Sequence, residues 1–327
     1  MNRLPFAGLD PDCILDAVEA AGHRCDGRLL ALNSYENRVW QVGREDDTPL
    51  VAKFYRAGRW RDAQILEEHA WSTDLAAAEL PVVAPLAAAD GTTLFRHRGF
   101  RYALYPRHGG RWPPLDDPET LYRLGRLLGR IHAHGAQAPF RERPALDVER
   151  FGHEPRATVL AGSWLPAYLR EAYATLSRDL LAAIEAAFAG LHWRSIRLHG
   201  DCHPGNLLWT DEGCHFVDLD DAVSGPAVQD IWMLLSGERD ERQLQLAELI
   251  EGYREFHDFD ARELALIEPL RALRQLHYAA WIARRWDDPA FPAAFPWFAG
   301  PRYWEEHVLA LRECLAALGE PPLSLWD

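Results

Sequence analysis

Hydrophobic and polar positions divide the chain into an early stretch of alternation and a later stretch of helical repeats. Ile14, Leu15 and Val18 follow Asp10-Pro11-Asp12 and stop at Gly22, so a capping acid and a closing glycine predict a short helix. Three strand-like runs come next: Leu29 to Leu32, Arg38 to Val42 and Leu50 to Tyr55. The joining stretches, 33–37 and 43–49, are short, which predicts an antiparallel meander. Over 61–78, Ile65, Leu66, Ala70, Trp71 and Leu75 return to helical spacing. Phe100 to Tyr105 alternates as a further strand, and Pro106-Arg107-His108-Gly109-Gly110 ends it as a flexible linker.

Helical periodicity dominates the rest. Leu121, Leu124, Leu127, Leu128 and Ile131 mark a helix over 118–134, and 165–191 and 241–286 read as more. The stretch 139–155 reads as loop, and Ile196 to Leu198 as a short strand. Prolines at 289, 292 and 296 exclude regular helix there. The pattern predicts an α+β chain: a small antiparallel-sheet lobe over 1–107 and a mainly helical lobe over 108–327.

Composition narrows the picture. At 327 residues the chain is long enough for two ordinary domains. A net charge of -14 argues against non-specific nucleic-acid binding and against an anionic membrane surface. No apolar run approaches a membrane span, and the first residues lack a signal-peptide core. Five scattered cysteines, an odd number, favour free thiols. The expectation is a cytoplasmic, monomeric protein with neither nucleic acid nor membrane as partner.

The richest chemistry lies between Leu198 and Asp221. Asp201 is followed five residues later by Asn206; two short apolar runs, Leu207-Leu208-Trp209 and His215-Phe216-Val217, then flank a turn and deliver Asp218. This is the layout of a phosphoryl-transfer centre. Asp201 would orient an acceptor hydroxyl as base, while Asn206 and Asp218 converge on magnesium. Magnesium prefers hard oxygen ligands and keeps several waters, and one amide plus one carboxylate leaves room for them. Two blander readings compete. These are all turn-forming residue types. Alternatively, His199, Cys202, His203, Cys214 and His215 suit zinc, although zinc-site spacings such as C-x-x-C are missing.

Elsewhere Val51-Ala52-Lys53-Phe54 places a lysine inside a strand, and Glu67 and Glu68 both lie on the following helix. The helical stripe alone does not choose between the two acids. Ser34 sits at the tip of the first hairpin, where a nucleotide-covering loop would stand.

His199-Gly200-Asp201 with Asn206 in register resembles the aminoglycoside phosphotransferase and choline kinase branch of the kinase-like fold. That resemblance implies a bilobal kinase-like fold and binding of ATP with Mg2+. In it, Lys53 holds the α- and β-phosphates and Glu68 pairs with Lys53. Ser34 contacts nucleotide, and the backbone near Tyr105 and Arg107 reads adenine. Asp201 and Asp218 are catalytic, and Asn206 and Asp218 hold the metal. Asp230 resembles the family's bracing acid, His132 reads as a packing or hydrogen-bonding histidine, and for Asp220 and Asp221 two readings stay open: one adds to the metal or acceptor site, or both are polar turn groups. Glycines are missing from the phosphate loop, where Ser34-Tyr35-Glu36-Asn37-Arg38 stands instead. Residues 32–38, 200–203, 216–221 and 288–292 are similar to a branch of bacterial serine/threonine protein kinases active in stress response. A protein hydroxyl is therefore the expected acceptor. A small-molecule kinase shares every motif and is the alternative, and a non-catalytic ATP-binding regulator is a third.

Overall fold

The computed structural model describes residues 4–325. In chain order, α1 (Pro11–Ala20) precedes β1 (Cys25–Ala31), β2 (Arg38–Arg44) and β3 (Leu50–Phe54). Then come α2 (Asp62–Ala77), β4 (Phe95–His97), β5 (Phe100–Pro106) and α3 (Pro118–Gly135). After α4 (Glu154–Ala161) and α5 (Arg170–Ala189) lie β6 (Ile196–Leu198), β7 (Leu207–Thr210), β8 (Gly213–Phe216) and β9 (Val223–Gly225). The chain finishes with α6 (Val228–Trp232), α7 (Arg239–Arg254), α8 (Ile267–Arg284), α9 (Ala290–Ala294) and α10 (Pro301–Ala317). The expected class is what the structure has: an N-terminal antiparallel sheet and a mainly helical remainder.

Two compact units divide these elements. The first holds residues up to 114 with 140–144 and 199–222; the second holds 115–139, 145–198 and the chain from 223 on. In the first unit the sheet runs in the order β1-β2-β3-β5-β4, antiparallel throughout. Its core forms where α1 lays Ile14, Ala17 and Val18 against Val42, Leu50, Phe54, Tyr102 and Leu104. Asp10 caps α1 by accepting the Cys13 N–H, satisfying one of the orphan donors at the helix start. The β7–β8 hairpin belongs to this unit too. Phe216 is hydrogen-bonded to Pro81 and Val83, and Trp209 exchanges two backbone bonds with Arg111. Both flanks of the hairpin are thereby tied to the chain around it.

The second unit is helical. Its one described strand pair, β6–β9, joins Leu198 to Val223, the two residues that bracket the 199–222 excursion. α3 and α7 pack closely because glycines line the seam. A side chain at Gly125 or Gly129 would collide with the carbonyls of Leu249 or Tyr253, and one at Gly252 with that of Tyr122. Next to this seam the buried His132 ring bridges the Tyr253 hydroxyl (3.0 Å) and the Asp230 carboxylate (3.1 Å). His132 is thus a hydrogen-bonding histidine inside the unit.

Two local expectations are corrected. The stretch 139–155 is not loop throughout: a π-helical turn at Glu149–His153 leads into α4, which accommodates Pro155 because the first turn needs no N–H from it. Pro292 likewise sits within α9, a helix too short to require its missing donor. Of the two acids on α2 between which the stripe did not choose, Glu67 binds backbone. Its carboxylate accepts the N–H groups of Arg141, Glu142 and Arg143, stapling 140–144 to α2.

Candidate active site

Ser34, Lys53, Glu68, Tyr105, Arg107, Asp201, Asn206 and Asp218 all lie in the first unit, whereas His132 and Asp230 lie in the second. β6 ends at Leu198 and the chain enters a loop whose shape is set by short-range hydrogen bonds. The Asp201 carbonyl accepts from the His203 N–H (2.9 Å) and from the Asn206 side-chain amide (2.9 Å). With its NH2 committed there, Asn206 presents its amide oxygen as the atom for a cation. The Asn206 carbonyl accepts the Val217 N–H at 3.0 Å, so the residue before Asp218 is fastened to Asn206. His199 braces the same junction from behind. Its Nε2 lies 2.9 Å from the Val217 carbonyl, and its Nδ1 accepts the Asp201 N–H at 3.4 Å. Both contacts require the tautomer with hydrogen on Nε2. The imidazole of His203 stands 3.5 Å from the Asp201 carboxylate through Nε2.

Asp218 has left-handed backbone, φ 58° and ψ 61°, and opens a 3-10 turn over Leu219–Asp221. Few residues other than glycine adopt this region; aspartate is among those that do. The turn sets three carboxylates against two cations, Lys53 and Arg59. Asp218 is half-exposed and meets the Lys53 ammonium at 2.6 Å. Asp220 is buried, lies 3.5 Å from the same ammonium, accepts from Asn37 Nδ2 (3.0 Å) and pairs with Arg59. Asp221 closes on Arg59 at 2.5 Å.

Lys53 is buried, not a solvent-facing strand lysine. Burial alone would lower its pKa, but Asp218 and Asp220 outweigh that and hold it charged. Burial alone would also raise the Asp220 carboxyl; Arg59, Lys53 and Arg143 prevail and keep it ionised.

Glu68, on α2, is buried as well. The structure shows no ion pair between it and Lys53 among the described residues. The ammonium is taken by Asp218 and Asp220 instead, and the Glu68 carboxyl, desolvated with Lys53 only partly offsetting, is pushed up to about 7. Its neighbour His69 is held near 3 by burial and bridges Tyr55 (2.7 Å) to Thr93 (2.9 Å) as a neutral ring.

The hairpin tip before β2 is built differently from a glycine loop. Ser34 Oγ donates to the Asn37 carbonyl at 3.4 Å. Arg56 Nε stands 3.1 Å from the Glu36 carboxylate and donates to its carbonyl at 2.9 Å, and the Arg56 N–H donates to Asn37 Oδ1. Asn37 then passes its amide to Asp220, so the tip is tied to the turn over 219–221. At the end of β5 the Tyr105 hydroxyl pairs with that of Tyr55 (3.0 Å), and the exposed Arg107 donates to Gln41. Pattern reading missed Arg59, Arg143, Asn37 and Glu67 as organisers. Arg143 donates to the carbonyls of Asp220 and Ala222 from residues remote in sequence. No periodicity marks such contacts; the one available signal was the paired acids at 220 and 221, which demand cations once buried.

The donor set fits a hard divalent cation: one amide oxygen from Asn206 and one half-exposed carboxylate from Asp218, on a braced loop and hairpin. Zinc finds less. Among the described residues no group of three or more His, Cys, Asp or Glu is gathered as a metal-holding set, and none of the five cysteines is in a disulfide.

A model of the phosphotransferase enzyme family matches residues 28–267. Stress response kinase A of Escherichia coli (strain K12) is 47% identical over 328 residues, 99% of this chain and 98% of that protein. Serine/threonine protein kinase RdoA of Salmonella typhimurium is 44% identical over 324 residues, again covering 99% and 98%. Among solved structures, amicoumacin kinase hAmiN in complex with AMP-PNP, Ca2+ and Ami superposes with a TM-score of 0.70 at 18% identity, covering 95% of this chain and 94% of that one. A microcompartment-associated aminopropanol kinase does so with 0.71 at 19%, covering 93% and 98%. These distant structures share the fold; the sequence matches carry the relationship, and the chain belongs to the phosphotransferase enzyme family.

Proposed function

We propose that this phosphotransferase moves the γ-phosphoryl group of ATP to a serine or threonine hydroxyl of a protein. The observation that carries the reading is the fastening of Asn206 to the Asp218 turn, through the 3.0 Å Val217–Asn206 bond, beside Asp201. Asp201 receives the acceptor hydroxyl and takes its proton. Lys53 binds the α- and β-phosphates, with its charge assured by the two aspartates. Glu68 supports that lysine electrostatically from α2. Ser34 covers the phosphates from the hairpin tip, and backbone near Tyr105 and Arg107 meets the adenine. Asn206 and Asp218 hold Mg2+, which when bound offsets the charge developing on the phosphates. Catalysis is then mostly positioning and electrostatics.

A protein acceptor and a role in stress response are supported by the names of relatives at 44–47% identity over nearly the whole chain. No described helix is long and apolar enough to cross a membrane. We place the protein in the cytoplasm as a monomer, with a nucleotide lobe over 1–107 and a catalytic lobe over 108–327. A small-molecule alcohol is the second reading, favoured by the aminopropanol and amicoumacin kinases that share the fold.

Radiolabelled γ-phosphate transfer with magnesium decides between them. Generic protein substrates, the protein itself and a panel of amino alcohols, sugars and aminoglycosides are offered in parallel. Label on serine or threonine in a protein acceptor supports the first reading. Label on small alcohols alone replaces it with the second.

A further inference from the structure

The second unit contains a half-open cavity of about 250 Å3 that shares no residue with the candidate active site. Its walls are Trp232 at the end of α6, the Leu235-Ser236-Gly237 turn, Arg242 on α7, and Ile267 and Arg271 on α8. Trp232 Nε1 already donates to Gln229 at 3.1 Å, so the indole has its polar atom satisfied. Leu235 and Ile267 add aliphatic surface. Two guanidiniums provide the polar side, and they share a single carboxylate. Arg242 Nη1 meets one Glu268 oxygen at 3.1 Å and Arg271 Nη1 meets the other at 2.7 Å. Glu241, beside Gly237, spends its carboxylate on the Glu238 N–H at 2.8 Å.

We propose that this cavity binds a small organic anion, one carboxylate or phosphate group on an apolar body. The oxyanion takes the donors of Arg242 and Arg271, whose planar forks match such groups, and the body packs on Trp232, Leu235 and Ile267. The volume lies below the roughly 300–1,000 Å3 of clefts for drug-sized ligands. It therefore suits a single ring or a short chain and excludes a nucleotide.

Ligand-observed NMR on the full chain tests this, with benzoate and phenyl phosphate as probes and benzyl alcohol as the neutral control. Saturating ADP and magnesium are present throughout, to fill the nucleotide site. Benzoate or phenyl phosphate is expected to bind at millimolar concentration or below, and benzyl alcohol is not. Arg271→Gln, at the more exposed of the two arginines, should weaken binding about tenfold, the effect of losing one charged hydrogen bond. Glu268→Gln should tighten it, because the competing carboxylate is removed; a general loss of structure would not do that. Circular dichroism and melting curves confirm that both variants fold. Failure of both probes to bind the wild-type chain at tens of millimolar overturns the proposal. Undiminished binding by Arg271→Gln, or weaker binding by Glu268→Gln, overturns it equally.

Discussion

The Lys53 ammonium stands 2.6 Å from the Asp218 carboxylate, although 165 positions separate them. One cation on a strand of the sheet thereby fixes the carboxylate that ends the β7–β8 hairpin. Asp220 stands 3.5 Å from the same ammonium and leans on Arg59 and Asn37 as well, so the two acids differ in dependence. Asp218 is half-exposed, whereas Asp220 is buried among several partners.

That difference predicts the outcome at Asp218. Asp218→Asn keeps the shape and tolerates the left-handed backbone, since asparagine shares this preference. Magnesium-dependent transfer should drop by several kcal/mol of transition-state stabilisation while the melting temperature changes little. Turnover near the wild-type level would remove Asp218 from the metal site.

At Lys53 activity and stability should fall together. Lys53→Met removes the charge that answers Asp218 and Asp220, but Arg59, Arg143 and Asn37 still face Asp220. The expected cost is about 1–3 kcal/mol, below the range for stranding a buried charge outright, alongside a large loss of transfer. Urea unfolding and transfer assays on the same preparation check both. Unchanged activity returns Lys53 to a structural role.

Asp201→Asn preserves size and hydrogen-bonding reach but loses proton acceptance. Nucleotide affinity should survive and transfer should fall by roughly 10²–10⁴. Cys202→Ala and His203→Ala should do far less. If instead the cysteine and histidine variants collapse the fold while Asp201→Asn stays active, zinc organises the loop.

Glu68 gives a pH signature. Its folded carboxyl titrates near 7 against an ordinary value of 4.5. The folded state therefore favours the protonated form. That stabilisation is fully present below 4.5 and is lost as pH rises through about 7, an effect on the order of a few kcal/mol. Glu68→Gln, a neutral isostere, should flatten the stability profile between pH 5 and 8 and gain most, relative to wild type, at the alkaline end. Parallel profiles for the two proteins would refute the assignment.

The α3–α7 seam offers a test of packing alone. Gly129→Ala drives a methyl into the Tyr253 carbonyl, and overpacking of this kind costs about 1–3 kcal/mol. Thermal melting should register the loss, and nucleotide affinity should not change, because the seam touches none of the candidate site.

Much of this protein was legible along the chain. The meander, the α2 stripe, α3 and the β7–β8 hairpin follow from local periodicity and turn chemistry, which short-range contacts enforce. The grouping of Asp201, Asn206 and Asp218 was readable for the same reason: their spacing across one loop and one hairpin is itself local. Tertiary structure alone decided who partners whom. Glu67 and Glu68 look alike on a helix stripe; one proves to staple backbone at 141–143 and the other is desolvated toward a neutral acid. Arg59, in irregular chain after β3, becomes a hub for Asp220 and Asp221. Arg143 reaches two carbonyls nearly eighty residues away. Such pairings are set by burial, which makes an unpartnered charge too costly to keep, and burial is a property of the folded chain, with no period in the sequence.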